Sequence, residues 1–257
     1  MEIDLSGRTA FISGSTQGIG LAIASGVARA GATVWVNGRD QAKVEAVKAE
    51  LGCEGIAADV GTAAGVAEVL EALPSVDILV NNLGIFGAKP VLEVDDDTWQ
   101  RYWDVNVMSG IRLSRAYLPG MKEQGWGRVL FLASDSAVVI PIEMVHYGVT
   151  KTALLGVSRG FAKAMSGTGV TVNAVIAGPT HTEGVEDFVR ELVGDDKPWD
   201  EAQKQFVAEH RPNSLLGRLI EPAEIANLVV YLSSELSSAT TGGAIRVDGG
   251  YVDHILP

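Results

Sequence analysis

Short apolar runs recur along this 257-residue chain, and most of them end in glycine, asparagine, aspartate or serine. Helix-length segments, such as Gln41 to Leu51 and Ala63 to Leu73, separate several of these runs. Alternation of buried strands and helices is typical of βαβ units, in which helices cover both faces of a parallel sheet. The sequence therefore predicts an α/β fold with one doubly wound parallel sheet of about seven strands, at 9–12, 33–37, 56–58, 76–80, 128–133, 170–176 and 243–247.

The first strand leads into a glycine-rich turn, Ser13–Gly20, and then into a helical pattern over Leu21–Ala30. Strand, glycine turn and helix form the Rossmann-type unit that binds a dinucleotide pyrophosphate at a helix N-terminus. Gly14 would permit the tight turn, and Gly18 would let the backbone approach the cofactor closely. Gly20 would let the helix pack closely on the strand. The spacing G-x-x-x-G-x-G differs from the G-x-G-x-x-G fingerprint, so a chance match among 30 glycines stays open at this point.

Tyr147 and Lys151 stand four residues apart, so in a helix both side chains lie on one face. A lysine cation beside a tyrosine favours the phenolate and moves its pKa from about 10 toward a value useful for proton transfer. Ser134 follows the strand-like run 128–133, where its hydroxyl could reach the oxygen of a bound carbonyl or alcohol, and Ser136 is its rival. Taken alone, the Tyr–Lys pair also fits a helix in which a lysine stem covers an aromatic ring.

Five positions fall at the carboxyl ends of predicted strands, namely Gly14, Arg39, Asp59, Asn82 and Ser134. In an open parallel sheet, ligands bind beyond those ends. We therefore expect one site to collect all five.

Arg39 follows the second strand, where a dinucleotide-binding fold recognises the adenosine ribose. An acidic residue there would bond the ribose hydroxyls, whereas an arginine would pair with a 2′-phosphate. Because this strand ends in Gly38 and Arg39, NADP(H) is the favoured cofactor and NAD(H) remains possible. An ordinary surface arginine ahead of the next helix is the alternative.

The net charge of −12 argues against nucleic acid or an anionic membrane surface as a partner, because both require a basic surface. Cys53 is the only cysteine, which excludes internal disulfides and cysteine-pair zinc sites, and the histidines do not recur at metal-ligand spacing. No apolar run approaches the roughly 18 residues of a membrane span. We expect a soluble, cytoplasmic protein without a metal, folded as a single domain over residues 1–257.

Together these motifs resemble the classical short-chain dehydrogenases/reductases, from about Arg8 to Tyr251. The resemblance rests on the order and spacing of Ser13–Gly20, Asn81–Gly84, Asn106, Ser134, Tyr147 and Lys151. The chain departs from the family at Ser13, where Thr is more frequent, at Leu83, where Ala is usual, and at Ala177–Gly178, where Pro-Gly is usual. None of these departures removes a catalytic group, although Leu83 adds bulk where the nicotinamide would lie.

The resemblance implies that Tyr147 exchanges a proton with the carbonyl or alcohol oxygen as hydride moves to or from nicotinamide, while Ser134 hydrogen-bonds that oxygen. Lys151 would lower the Tyr147 pKa and hold the nicotinamide ribose. Asn106, in the helix predicted from Thr98 toward Met121, would fix a water that passes protons to Lys151, and a buried Asn that satisfies backbone groups is the alternative. The implied cofactor contacts are Gly14, Ser15, Thr16, Gln17, Gly18, Ile19, Gly20, Arg39, Asp59, Val60, Asn82, Gly84, Tyr147, Lys151, Gly178, Pro179, Thr180 and Thr182.

Residues 183–216 occupy the place of the family's substrate lid. An apolar stripe at Phe188, Val189, Leu192 and Val193 lies in a segment with nine acidic and four basic residues. Such a lid predicts an uncharged, fairly hydrophobic ketone or secondary alcohol as substrate. It suits a 3-oxoacyl thioester on the acidic acyl carrier protein less well, so reduction of that thioester is the alternative activity.

The helix after Lys151 is apolar on more than one side, which predicts a homodimer or homotetramer. A non-catalytic dinucleotide-binding regulator or scaffold would keep the same fold without turnover, but all four catalytic residues are present. Among other enzymes of this fold, sugar-nucleotide epimerases and dehydratases have a longer C-terminal part, and enoyl reductases space Tyr and Lys more widely.

Overall fold

The computed structural model describes residues 3–255, in which seven strands form one parallel sheet in the order β3-β2-β1-β4-β5-β6-β7. The strands are β1 Thr9–Ile12, β2 Thr33–Gly38, β3 Glu54–Ala57, β4 Ile78–Asn81, β5 Gly127–Ser134, β6 Val170–Ala177 and β7 Ala244–Val247. The predicted α/β fold is confirmed. Because the strand order reverses at β1, which pairs with β2 on one side and β4 on the other, a crevice opens at their carboxyl ends.

Helices cover both faces of this sheet. They are α1 Gly18–Arg29, α2 Gln41–Leu51, α3 Ala63–Ala72, α4 Asp96–Trp103, α5 Ser109–Gln124, α6 Val145–Ala164, α7 Glu183–Val193, α8 Trp199–His210 and α9 Pro222–Leu232. Successive strand residues point to opposite faces. Accordingly, Ile12 packs in the core that includes α1 and α9, and Phe11 packs in the core that includes α3, α5 and α6.

The segment between β4 and β5 differs from the single helix predicted from Thr98 toward Met121. It consists of α4, a π-helical turn over Asp104–Met108, and α5. A π-helical turn holds one residue more than an α-helical turn, and it buries Asn106 at its centre. The apolar pattern continues on both sides of the turn, so the sequence does not reveal the extra residue.

The strand bounds differ by one or two residues from the predicted ones in every strand except β1, because backbone pairing rather than side-chain pattern sets a strand's ends. β3 begins at Glu54 instead of Ile56, since it pairs with β2 from Glu54 onward. β4 begins at Ile78 instead of Val76 and continues to Asn81, which lies opposite Phe131 of β5.

α7 and α8 bury their apolar faces in a third, smaller core. Phe188 and Val189 of α7 pack there with Phe206 of α8 and with Met144, three residues before Tyr147. The apolar stripe predicted in this segment is therefore buried beside the candidate catalytic helix. Over residues 3–255, no helix is both long enough and apolar enough to cross a membrane.

Candidate active site

A cavity of about 880 Å³ lies at the carboxyl ends of the strands. All five strand-end positions that were expected to meet line this cavity, which also extends to α6, α7 and α8. The predicted site residues that line it are Gly14, Thr16, Gln17, Gly18, Ile19, Gly20, Arg39, Asp59, Val60, Asn82, Gly84, Ser134, Tyr147, Lys151, Gly178, Pro179, Thr180 and Thr182. Ser15 and Asn106 do not line it.

The glycine turn has the backbone geometry that the sequence predicts. Gly14 and Gly18 have φ angles of 62° and 56°, in the left-handed region that side chains other than glycine rarely adopt. A methyl group at Gly20 would collide with the Gly14 carbonyl oxygen and lie 2.5 Å from Asn82 Nδ2. The loop is thus closed tightly against α1 and leaves its cavity-facing side to a ligand.

The N-terminus of α1 opens into the cavity. Gln17 occupies the N-cap position, and its side chain makes no capping hydrogen bond. The first N–H groups of a helix have no partner within the helix, and they carry the positive end of its dipole. This end of α1 therefore fits a phosphate group.

Asn82 ties the end of β4 to the glycine turn, since its Nδ2 donates to the carbonyl oxygens of Ser13 and Gly14 at 3.0 and 2.9 Å. Ser15 also has a structural position. It is fully buried, and its Oγ donates to the Ile12 carbonyl oxygen and accepts from Asn37 N. The Ser15 side chain therefore joins β1 to β2 and does not line the cavity, and its contact with a cofactor remains a prediction.

Thr180 and Thr182 line the cavity after β6. The Thr180 hydroxyl donates to the Gly178 carbonyl oxygen at 2.8 Å, and Thr182 caps α7 by accepting from Val185 N at 3.3 Å. Both threonines therefore position the loop that leads from the sheet into α7.

Arg39 is exposed at the rim of the cavity, and it makes no hydrogen bond or ion pair with another residue of the described range 3–255. Lys43, in the first turn of α2, lines the same rim, and its Nζ donates to Gln17 Oε1 at 3.3 Å. This second cation was not predicted, although its place four residues after Arg39 in the sequence is a signal for it. Two positive side chains at one rim fit an anion such as a 2′-phosphate.

Tyr147 and Lys151 lie on α6, as their spacing predicts. Lys151 Nζ is 5.6 Å from the centre of the Tyr147 ring and donates to the Leu132 carbonyl oxygen at 2.7 Å. Phe86 packs its ring edge-on against Tyr147, with centroids 6.2 Å apart. The pair therefore faces the end of β5, where Ser134 stands.

Burial governs the protonation of both groups in the chain without cofactor. Burial raises the pKa of Tyr147 above its ordinary value, with Ser134 acting in the opposite direction. Burial also lowers the pKa of Lys151 to about 8. In the chain without cofactor, loss of water therefore dominates the Tyr147 pKa, and the expectation that Lys151 lowers it stays a prediction.

The Ser134 hydroxyl is held by its neighbours. Its Oγ donates to Asp135 Oδ1 at 2.8 Å and accepts from Ser136 N at 3.1 Å. The rival, Ser136, also lines the cavity and donates from its Oγ to the same oxygen at 3.3 Å. Ser136 N also donates to Asp135 Oδ1, at 2.7 Å. Three donors on one oxygen are typical of a carboxylate, so Asp135 orients both serines.

Asn106 joins the loop after β4 to α6. Its Oδ1 accepts from Ile85 N at 2.8 Å, while its Nδ2 donates to the Ile85 carbonyl oxygen and to Thr150 Oγ1, each at 3.0 Å. These bonds are those of the structural alternative, a buried Asn that satisfies backbone groups. A role for Asn106 in proton passage remains a prediction.

The end of the cavity beside Tyr147 is only partly apolar. Phe86, Phe188 and Phe206 form an aromatic wall, as a hydrophobic substrate would require, but Asp135 and Arg211 line the same space. Both charged residues are nearly fully buried, at 3% and 5% exposure. The sequence analysis did not single them out, because they belong to segments that only the tertiary fold brings together.

Comparison with known proteins agrees with this geometry. A family model described as Enoyl-(Acyl carrier protein) reductase matches residues 14–252. The chain is 48% identical to the uncharacterized oxidoreductase YvaG of Bacillus subtilis (strain 168), with 100% of both chains covered. The chain thus belongs to the short-chain dehydrogenase/reductase family, as its motifs indicated.

Two solved structures are similar along nearly the whole chain. One is L-sorbose reductase from Gluconobacter frateurii in complex with NADPH and L-sorbose, with 33% identity, a TM-score of 0.91, and 99% of this chain and 100% of that chain covered. The other is a putative NAD(P)-dependent gluconate 5-dehydrogenase from Beutenbergia cavernae with bound NADP, with 34% identity, a TM-score of 0.87 and the same coverage.

Proposed function

We propose that the protein is an NADPH-preferring reductase that interconverts a ketone and a secondary alcohol, with Tyr147 as general acid and base. The observation that carries this proposal is a single cavity with Tyr147, Lys151 and Ser134 at one end and the glycine turn and Arg39 at the other. A proton donor and a dinucleotide-binding loop in one space are what carbonyl reduction by a nicotinamide requires.

The residues present fit a nicotinamide dinucleotide. The uncapped N-terminus of α1 and the close-packed glycine turn would hold its pyrophosphate, and Arg39 with Lys43 would hold a 2′-phosphate. NADPH bound to L-sorbose reductase and NADP bound to the gluconate 5-dehydrogenase support the phosphorylated cofactor. The bound cofactor would supply or accept the hydride.

Each remaining step falls to a side chain of this protein. The Tyr147 phenol is protonated at neutral pH, since even its ordinary pKa is about 10, and it can give its proton from Oη to the carbonyl oxygen. Ser134 would turn its hydroxyl from Asp135 to that oxygen and stabilise the charge that develops there. Lys151 would hold the ribose, and a water beside Asn106 would restore the proton.

The segment over residues 183–216 would act as the substrate lid of a single domain. The aromatic wall, formed by this segment together with Phe86, suits the carbon skeleton of a small ketone, and the buried Asp135 and Arg211 suit polar substituents on it. L-sorbose, the ligand of one structural neighbour, is a ketone of this hydroxylated kind. A 3-oxoacyl thioester on an acyl carrier protein is disfavoured by the acidic exterior of the lid.

The experiment that tests this function replaces Tyr147 by Phe. Because only the proton donor is lost, kcat for a panel of ketones should fall by about 10²–10⁴-fold, while the affinity for NADPH, read by its fluorescence, should change little. Tyr231→Phe is the control, since Tyr231 lies on α9, outside the cavity. Activity of Tyr147→Phe within tenfold of the parent would contradict the mechanism, and NADPH binding without turnover by the parent would favour a non-catalytic binder.

We also propose that the protein is a cytoplasmic homodimer or homotetramer. Gly156 and Gly160 of α6 are exposed, and a methyl group built on either meets no atom within 4 Å, so this helix face can admit a second helix closely. Light scattering at micromolar concentration should give two or four times the monomer mass. A monomer mass would contradict this assembly.

A further inference from the structure

Arg211, directly after α8 in the lid segment, has an unusual environment for an arginine. It is 5% exposed, and its guanidinium carbon lies 5.4 Å from the Phe206 ring centre and 5.5 Å from that of Tyr251. Its Nη1 donates to the His210 carbonyl oxygen at 2.6 Å. Within residues 3–255 its Nη2 makes no hydrogen bond, so the guanidinium keeps a donor available where it lines the cavity.

Two carboxylates approach this guanidinium. Asp135 Oδ2 is 3.9 Å from Arg211 Nε, and Glu143 Oε1 is 3.6 Å from Arg211 Nη1. Asp135 follows the catalytic serine on the chain, and Glu143 precedes the catalytic tyrosine by four residues. The lid is thereby connected to both catalytic segments by charge.

The three charged groups do not satisfy one another fully. Asp135 Oδ2, Glu143 Oε1 and Arg211 Nε are buried, and none has a hydrogen-bond partner within residues 3–255. Leaving a buried polar atom unpaired costs on the order of 1–3 kcal/mol. Asp135 and Arg211 line the cavity and can recover part of that cost by bonding a ligand or a water, whereas Glu143 contacts Arg211 without lining the cavity.

The charge of the cluster limits which ligand that can be. Burial raises the pKa of Asp135, while the Arg211 guanidinium and the three hydrogen bonds to Asp135 Oδ1 favour its ionised form. With both carboxylates ionised against one guanidinium, the cluster carries one excess negative charge, and a third carboxylate brought by a substrate would raise it further. A hydroxyl group adds no charge. It can accept a hydrogen bond from the guanidinium and donate one to a carboxylate, whereas an ionised carboxyl can only accept.

We propose that Arg211 and Asp135, with Glu143 beside Arg211 as a further charge, form the specificity site of the cavity and select neutral, hydroxylated ketones over keto acids. This inference rests on the proposed reductase function and narrows its substrate class. It also separates two chemistries found among the structural neighbours, a neutral ketose for L-sorbose reductase and a sugar acid for the gluconate dehydrogenase.

Two matched pairs of ketones test the charge alone. L-sorbose and 5-keto-D-gluconate differ only in a CH₂OH or carboxylate at the far end of the chain, and 4-hydroxy-2-butanone and acetoacetate differ in the same way. With NADPH as cofactor, kcat/KM of the parent should favour the neutral member of each pair by at least about tenfold. A parent that prefers the keto acids overturns the proposal.

The variant Glu143→Gln removes one negative charge and leaves Ser134 and Asp135 unchanged. It should shift the neutral-to-acid ratio of kcat/KM toward the acid by about tenfold, because the excess charge is gone. Glu201→Gln is the matched control, since it makes the same change at an exposed position of α8 and should leave the ratio unchanged. An unchanged ratio in Glu143→Gln, or an equal shift in Glu201→Gln, would show that the cluster does not select by charge.

Thermal unfolding checks that each variant is folded. If Glu143→Gln does not fold, Asp135→Asn takes its place. Any direct effect of this variant on Ser134 changes kcat/KM for both ketones of a pair equally, so it cancels in the neutral-to-acid ratio. A parent that reduces neither member of either pair rejects this substrate class. The reductase function then still stands if other ketones are reduced in a Tyr147-dependent way, and it fails separately if none is.

Discussion

The two ends of the cavity are built in different ways. At the cofactor end, backbone groups and short side chains satisfy one another, as where Ser13 Oγ accepts from Asn82 N and Leu83 N, both at 3.0 Å. At the substrate end, long charged side chains meet at 3.6–3.9 Å and leave buried atoms unpaired. The first end has its shape before any ligand arrives, whereas the second keeps unused hydrogen-bonding capacity.

This difference indicates where the family's common chemistry and an individual member's specificity reside. A loop held by backbone contacts changes little when side chains are exchanged, so it suits a cofactor that many relatives share. A cluster of three charged side chains can be altered by one substitution. Changes to the glycine turn should therefore weaken the binding of either cofactor strongly, and changes at the substrate end should alter which substrate is bound.

The largest effect is expected from Gly20→Ala. The added methyl would collide with the Gly14 carbonyl oxygen and with Asn82, and backbone atoms cannot move aside without opening the loop. We expect NADPH affinity, measured by fluorescence titration, to fall by more than about a hundredfold, or the protein to lose several kcal/mol of stability.

Gly120→Ala supplies the control for this variant. Gly120 lies in α5, where a methyl meets nothing within 4 Å, so the substitution should be neutral or stabilise the helix by up to about 1 kcal/mol. If Gly20→Ala bound NADPH as the parent does, the cofactor end would be more adaptable than its contacts indicate.

A smaller effect is expected from Arg39→Leu. If Arg39 pairs with the 2′-phosphate, its loss should raise the dissociation constant of NADPH about tenfold to a hundredfold and leave that of NADH nearly unchanged. Arg29→Leu, at an exposed arginine of α1 outside the cavity, is the control. If Arg39→Leu weakened the binding of both cofactors equally, or if the parent preferred NADH, Arg39 would have no role in recognising the 2′-phosphate.

Gly38→Asp is the natural change for converting the preference to NADH, since it would add a ribose acceptor and repel the phosphate. The structure makes that change harder than the sequence suggests. A side chain at Gly38 would begin 2.6 Å from Thr16 Cγ2. We therefore expect Gly38→Asp to need Thr16→Ser beside it before NADH affinity, measured in the same titration, improves.

The smallest effect is a dependence of stability on pH that Lys151 should produce. Burial lowers its pKa from 10.5 to about 8 in the folded chain, so between these values the unfolded chain binds more protons. Over this window the free energy of unfolding should rise with pH, by up to about 1 kcal/mol per unit, relative to Lys151→Met.

Urea unfolding of the parent and Lys151→Met at pH 7, 8 and 9 measures this difference. Lys122→Met, at an exposed lysine of α5, is the control, and its free energy of unfolding should change with pH as that of the parent does. If the difference between the parent and Lys151→Met stays constant with pH, the Lys151 ammonium is not desolvated in the folded chain.

The cofactor end could be predicted from the sequence because its determinants are local. A strand, a turn with glycines at set intervals and a helix follow one another within Thr9–Arg29, and each glycine's role is a matter of backbone geometry. The Tyr147–Lys151 pair is equally local, since one helical turn sets its geometry. Such features need no knowledge of distant segments.

The substrate end could not be predicted in the same way. Asp135 and Arg211 are far apart in the chain and meet only because of where β5 and α8 lie in the fold. No spacing in the sequence therefore predicts their contact. The burial of Tyr147, which raises its pKa in the chain without cofactor, could not be predicted for a related reason, because a motif of two residues carries no information on burial.

The π-helical turn over Asp104–Met108 sets the angle between two faces of one long helical rod. Successive α-helical residues lie about 100° apart around the axis, so one inserted residue rotates everything after it by about that angle. Before the turn, Tyr102 meets His146 of α6 at a centroid distance of 4.3 Å, and after it Leu113 and Tyr117 belong to the core against the sheet. Asn106 lies within the turn. The inserted residue therefore directs α4 and α5 toward different neighbours, and it also places the Asn106 amide beside α6.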